Sequence, residues 1–392
     1  MRLIFFRGAV DTLDDFTVQL MRAAETLSME YLLLDIRENG STLFDKLSGF
    51  VSGEPCTAIL LNNVGLNLVT EQGNFWERNG IPVCDILMDH PRNYDMVLRR
   101  PFDNLHVFVI DRNHASFIQV FFPDVRHVHF LPHGGNRVFT NEPEIPWEER
   151  PMDVLLVSNC QQAVSYPAIP FLEDGGKDLY ETMIRSLLND THMSADDALL
   201  SYLEVRKHTL TLEQIEHLMM EHVIYAECTV RRIHKLRIME LLADAGIRTD
   251  VYGAHWDDVK TGNGSGIVLH PPVTAAECNA LLGQAKIGLN VQPWFKEGAH
   301  DRIFTAQLSG AIALTDESNY LKERFTDGRE LIFYSLDDLD ALPGRIHSLL
   351  SDPERSKEIA KTGRTSALRH DTWAERLRTI LQTCPASSAG AL

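Results

Sequence analysis

The chain has no apolar run near the ~18 to 20 residues of a membrane span, and Leu3 to Phe6 is too short for a secretory signal core, so a cytoplasmic location is expected. Its six cysteines, at 56, 84, 160, 228, 278 and 384, include no close pair, which argues against a zinc site or a disulfide framework and for reduced core thiols. Positive charge is short as well. The 37 Lys and Arg against 55 Asp and Glu leave a formal net charge of -18, which opposes nucleic-acid and anionic-lipid partners and means that a phosphate-bearing ligand needs a local basic site. No Asp-x-Asp signature marks a nucleotide-holding metal. Arg7-Gly8-Ala9-Val10-Asp11 after the first strand has one glycine where a dinucleotide fingerprint needs Gly-x-Gly-x-x-Gly, which excludes an NAD-dependent dehydrogenase.

What is present is an alternation of strands and helices. Arg2 to Arg7, Tyr31 to Ile36, Ala58 to Leu61, Val83 to Met88, Leu105 to Ile110 and Val128 to Leu131 are apolar runs of strand length, with an amphipathic helix over Thr12 to Leu27. A second series follows: Val154 to Val157, Thr249 to Tyr252, Ile267 to Leu269, Ile287 to Val291, Ala311 to Leu314 and Leu331 to Phe333, with helices over Ala275 to Gln284, Leu339 to Leu350 and Glu354 to Thr362. Such alternation predicts two doubly wound, Rossmann-like α/β domains. The expected boundaries are 1–140, a Pro- and Glu-rich linker at 141–151, a second domain at 152–371, a helix at 372–384 and a frayed tail at 385–392. Within the second domain the strand pattern lapses at about 170–230, where Tyr180 to Met193 and Ala195 to His222 are helix-forming. This insertion is read as a solvated face, with acceptor recognition or a homodimer contact as alternatives.

The densest chemistry lies between Asn290 and Asp316. A strand runs into the polar turn Trp294 to His300, and a helix over Asp301 to Leu308 stops at Gly310. A helix N-terminus at a strand's carboxyl end suits a phosphate, with Arg302 in its first turn. The same spacing also fits a surface loop with Arg302 in a salt bridge. Arg231, Arg232 and Lys235 share a later helix, with Lys235 on a common side with either arginine, as a diphosphate clamp or as a basic face. Asp89 and His90 follow one strand, Asp111 and Arg112 the next, and His133 the last, so polar groups gather at three strand ends and suit acceptor positioning or general-base work. Capping and edge roles fit Asp89 and His90 equally. His127, His129 and His133 invite a metal reading, but no metal is expected.

Several of these stretches, in order, resemble the group 1 glycosyltransferases, most closely the spore-maturation CgeB-like proteins. They are Phe130-Leu-Pro-His-Gly-Gly-Asn136, Val251-Tyr-Gly-Ala-His-Trp256, His270-Pro-Pro-Val-Thr274, the His300-Asp-Arg-Ile-Phe304 element with Gly310-Ala311 behind it, and His370-Asp-Thr-Trp373. The resemblance covers most of the chain outside the insertion. It implies a GT-B fold with two domains facing a cleft, a last helix crossing back to the first domain, and metal-independent sugar transfer from a nucleotide sugar, UDP-linked first of all. It places Arg302, His300, Arg231 and Lys235 on the diphosphate. Glu297, Gly298 and Trp294 would lie near the sugar, Val273, Tyr252 and Gly253 near the base, and Asn290, Gln292 and Asp301 around the same donor. Asp89, His90, Asp111 and His133 would face the acceptor, a protein or a glycan. The family's second loop glutamate is replaced here by Thr305, which can bond a hydroxyl but offers no carboxylate. An epimerase of the same fold and a non-catalytic nucleotide-sugar-binding scaffold are the alternatives.

Overall fold

The computed structural model describes residues 2–384 apart from 53, 72, 140–143, 207–208 and 260–265. The expected tail at 385–392 and the first part of the expected linker lie outside the described residues. The chain divides into two compact units, the first of 1–137, 274–276 and 368–392, the second of 138–273 and 277–367.

The first unit is built on six parallel strands: β1 (Arg2–Arg7), β2 (Glu30–Asp35), β3 (Cys56–Leu61), β4 (Val83–Leu87), β5 (Leu105–Val109) and β6 (His127–Phe130), in the order β2-β1-β3-β4-β5-β6. Every residue of β3 and β4 is buried, as a parallel sheet covered on both faces requires. Helix α1 (Asp11–Thr26) buries Leu13, Phe16, Leu20, Ala23 and Ala24, positions spaced by three and four that make one apolar stripe. The chain's last helix, labelled α12 below (Trp373–Thr383), packs on α1. Trp373 stands 5.4 Å from the Phe16 ring and its indole N–H donates to Asn136 Oδ1 (2.8 Å). Gly134 is needed there, since a Cβ would come within 2.8 Å of that indole. Thr372 caps α12 by accepting from Glu375 N, and Asp371 holds Arg376 (3.0 Å).

The second unit has six parallel strands as well: β7 (Met152–Val157), β8 (Thr249–Tyr252), β9 (Ile267–His270), β10 (Ala285–Asn290), β11 (Ile312–Asp316) and β12 (Ile332–Tyr334). Their order, β9-β8-β7-β10-β11-β12, reverses between β7 and β10, and at such a switch point the carboxyl ends of the strands diverge and leave room for a ligand. Besides short helices at Phe75–Arg78, Asp95–Leu98 and Asn319–Arg324, the intervening helices in chain order are α2 (Gly40–Val51), α3 (Arg112–Phe121), α4 (Lys177–Asn189), α5 (Ala195–Arg206), α6 (Leu212–His217), α7 (Val223–Asp244), α8 (Ala275–Leu282), α9 (Asp301–Leu308), α10 (Leu342–Ser351) and α11 (Pro353–His370).

Two local expectations change. The helix-forming stretch Ala195 to His222 is divided, because Thr211 and Gln214 form a reciprocal capping box that starts α6 afresh, and a π-turn at Leu218–His222 then leads into α7. Residues 144–151, expected as linker, dock on the second unit: the buried Arg150 guanidinium donates to the carbonyls of Ala285 (2.7 Å) and Ser309 (3.0 Å), satisfying strand-end and helix-end oxygens together. Among the described residues no helix is long and apolar enough to cross a membrane.

Candidate functional site

The second unit gathers cations at its switch point. Arg302, one residue into α9, donates to Val157 O at the end of β7 and stands 2.9 Å from His300 Nε2. His300 Nδ1 accepts the Arg302 backbone N–H (3.3 Å) and lies 2.6 Å from Asp301 Oδ1. Burial, and then Arg302, hold the His300 pKa below its usual value, so the ring is neutral near pH 7. His300 also precedes α9 as its N-cap residue, which places the free N–H groups of that helix beside Arg302.

Lys235 comes to the same place from α7. It is 2% exposed, and its ammonium bonds three neutral oxygens: Ser158 Oγ (2.8 Å), Asn159 O (2.8 Å) and Gln161 Oε1 (3.3 Å). Burial first, then the positive charges of Arg302 and Arg231, push its pKa down to about 7. Arg231, one turn earlier, pairs with Glu227 and lays its guanidinium 3.9 Å from the Trp294 ring centre. Arg232 turns elsewhere, to Asp258 and Gln161 O. Among the described residues neither Lys235 nor Arg302 has a carboxylate at salt-bridge distance, a costly arrangement for the buried Lys235 above all unless an anion arrives.

The surrounding loops are pinned tightly. Gln292, fully buried, accepts His300 N–H at Oε1 (2.8 Å) while its own N–H donates to Asp316 Oδ1 (2.8 Å), so it shapes the turn and is not presented to a ligand. Asn290 is likewise buried, bonded to Thr315 Oγ1 (3.1 Å). Burial drives the Asp316 pKa up to about 7. Gly298 O accepts from Ser318 Oγ (2.6 Å), and Glu297 holds Asn319 Nδ2 (2.5 Å). Thr305 is 1% exposed and gives its hydroxyl to Asp301 O (3.0 Å), within its own helix. Tyr252 stacks on His270 at 4.1 Å, and half-buried Val273 follows in the next loop. Any Cβ at Gly253 would clash with Ser158 O. Ser158 and Gln161, partners of Lys235, have no local signature beyond their place after β7.

In the first unit the strand-end residues divide. Asp89 is exposed and held at Oδ2 by Asn62 Nδ2 (3.0 Å) and Tyr94 OH (3.1 Å). His90, not Asp89, caps the turn at Pro91–Tyr94, and the Arg92 guanidinium lies against both of its ring nitrogens (2.9 and 3.1 Å). Asp111 is 1% exposed and caps α3 through Asn113 N (2.8 Å), and His133 is buried beside Phe16 (5.8 Å). Both are therefore placed as structural groups. His127 and His129 stack with His106, apart from His133. Among the described residues no three His, Cys, Asp or Glu side chains are arranged to hold a metal ion.

Residues 231–382, which run from Arg231 through α9 to α12, match the glycosyl transferase-like family. An α-glucosyltransferase solved with UDP and a 13-mer DNA containing an HMU base superposes with a TM-score of 0.55 at 10% identity, covering 98% of this chain and 99% of that one. Sucrose-phosphate synthase of Thermosynechococcus elongatus gives 0.49 at 11% identity, with 97% of each chain covered. For S. aureus TarM the values are 0.45 and 11%, over 84% of this chain, which spans 55% of TarM's length. No curated protein matches the chain. Two Rossmann-like units of this kind are the GT-B fold, and the segment from Arg231 to residue 382 of the second unit and last helix is similar to the glycosyl transferase-like family.

Proposed function

We propose that the chain transfers a sugar from a UDP-linked donor to an acceptor hydroxyl on a protein or surface glycan, as a CgeB-like member of this class, in the cytoplasm, where its six free thiols suit a reducing setting. One observation carries the reading: buried Lys235 and half-buried Arg302 meet at the switch point of the second unit with neutral partners only. A diphosphate is the ligand that such a site lacks. As the anomeric C–O bond breaks, negative charge grows on the leaving diphosphate, and Arg302, Lys235 and the α9 N-terminus stabilise it without a metal, since they are oriented before the reaction begins. Trp294 and Glu297 then border the sugar, and Tyr252 with Val273 the base. On the acceptor side Asp89 is the better proton acceptor, because Arg92 occupies the ring nitrogens of His90.

A panel of nucleotide sugars tests this, reading thermal stabilisation and released nucleoside diphosphate. One donor should raise the melting temperature and release diphosphate slowly. No response to any donor or to free UDP overturns the proposal. Thr305, turned into its helix where the wider group has a glutamate, favours a second reading, a nucleotide-sugar-binding scaffold. Stabilisation without turnover would select it, and conversion of the donor without any acceptor would select an epimerase.

A further inference from the structure

The loop that leaves β7 runs back along α7, and the helix meets it turn by turn. Lys235 bonds Ser158, Asn159 and Gln161, Arg232 donates to Gln161 O, and Thr229 Oγ1 bonds the Tyr166 hydroxyl (3.0 Å). Positions 229 and 235 are separated by about 9 Å along the helix axis, at ~1.5 Å per residue, so the loop reaches from the cation cluster to Tyr166. The Tyr166 ring is a fixed surface. One face stacks on buried Tyr180 at 4.7 Å and 20°, and the Tyr180 hydroxyl is held by His222 Nδ1 (2.6 Å) and Pro167 O (3.2 Å). Tyr166 is nevertheless 41% exposed, and with one face covered and its hydroxyl bound, the ring presents its other face to solvent. Beside it, exposed Gln162 sets its amide nitrogen 3.2 Å from Nδ1 of His255, an exposed residue held at φ 65°. Left-handed backbone is uncommon for histidine and is imposed here by the joining of two loops: Asn159 Oδ1 accepts Ala254 N–H (2.8 Å), and Ala254 O accepts Cys160 N–H (2.9 Å).

We propose that Tyr166, Gln162 and His255 form an acceptor subsite, and that the acceptor it takes is a neutral carbohydrate. The inference rests on the sugar-transfer reading above and names the acceptor class. A sugar ring has a face of C–H bonds and a rim of adjacent hydroxyls. The electron-rich face of a pinned tyrosine suits the first, and because the ring is already fixed, little ordering is lost on binding. The second suits an amide that both donates and accepts beside an imidazole. Among the described residues nothing but His255 bonds the Gln162 amide, so its oxygen and one N–H stay open to a ligand. Charge favours a sugar over a peptide or a phosphate ester: in a chain of net charge -18, the stretch from Ser158 to Leu172 holds no Asp, Glu, Lys or Arg. Tyrosine, glutamine and histidine there offer stacking and hydrogen bonds without a salt bridge.

Saturation-transfer NMR on the full chain tests this with maltose, cellobiose, lactose and chitobiose as probes. The readout needs no donor, so its failure is distinct from that of the nucleotide-sugar panel. At least one disaccharide should receive saturation, and its dissociation constant should rise by about tenfold in Y166A, the loss of one stacking contact. Q162A should weaken binding severalfold, whereas Y166F keeps the ring and should bind nearly as tightly as wild type. Both positions are exposed, so circular dichroism and cooperative melting should stay native in all three variants. The proposal is overturned if no disaccharide receives saturation, or if binding survives Y166A and Q162A unchanged. A Ser- and Thr-rich peptide whose binding depends on Tyr166, where that of the sugars does not, would overturn it in favour of a protein acceptor.

Discussion

The two units use one device at the same place in their sheets and arm it differently. In the first, Asp85 on β4 accepts the backbone N–H of Asn63, just beyond β3 (3.0 Å); in the second, Asp316 at the end of β11 accepts that of Gln292, just beyond β10 (2.8 Å). Burial raises both carboxyls to about 7. Each aspartate thus spends its acceptor capacity on pinning the loop after its neighbouring strand. In the first unit that loop holds Asn62 and Asn63 at positive φ (49° and 64°), the former steadying Asp89. In the second it leads to Trp294, His300 and Arg302, and the cations Arg231, Lys235 and Arg302 gather there. The scaffold is shared, and the charge delivered at the strand ends separates a unit fitted to hold an anion from one fitted to present a carboxylate.

The largest way to break that contrast is Arg302→Ala, which should lower turnover by about 10²- to 10³-fold while far-UV circular dichroism stays native. Unchanged turnover would remove Arg302 from the site. Gly253→Ala forces a methyl group onto Ser158 O and should cost on the order of 2 kcal/mol or more in denaturant unfolding, since backbone cannot yield as a flexible side chain can.

Lys235→Met probes the buried cation. In the wild type the folded pKa near 7 lies below that of the unfolded chain, so above pH 7 the unfolded state binds more protons and this group makes stability rise toward pH 10. The variant should lose that rise and bind free UDP weakly. In the wild type, UDP binding at pH 8 should take up protons, measured by calorimetry in buffers of differing ionisation enthalpy, because an arriving anion favours the charged ammonium.

The buried carboxyls run with the opposite sign. Their folded pKa is raised, so their contribution is complete below about pH 4 and lost as pH climbs through 7. Asp85→Asn and Asp316→Asn keep an oxygen for the loop N–H and remove the titration. Relative to wild type, each should gain thermal stability between pH 4 and pH 8, by similar amounts in the two units. The smallest effect is that of Tyr94→Phe, which removes one hydrogen bond to the exposed Asp89 and should cost about 0.5 to 1.5 kcal/mol in stability.

The alternation of strands and helices was legible in the residues because strand and helix patterns are local: the expected strand at Arg2 to Arg7 is β1 unchanged, and the expected helix at Asp301 to Leu308 is α9, ending before Gly310 at φ 72°. The division of the helix-forming stretch after Arg206 was not specified beforehand, because the capping box at Thr211 competes with an apolar spacing that runs on past it. Arg302 could be singled out beforehand for the same local reason, as the first-turn cation of a helix behind a strand.

Other assignments waited on the tertiary structure. Asp111 and Asp89 look alike as residues after strands, yet one is buried as a cap and the other stands exposed between Asn62 and Tyr94. Lys235 becomes a buried cation with neutral partners only because β7 ends beneath α7, 77 positions earlier in the chain. Residue order determines local conformation through short-range sterics and periodic burial, whereas solvation, proton affinity and partner choice depend on what the folded chain places within a few ångströms. The architecture was therefore readable from the sequence, and the chemistry of individual side chains was decided by the fold.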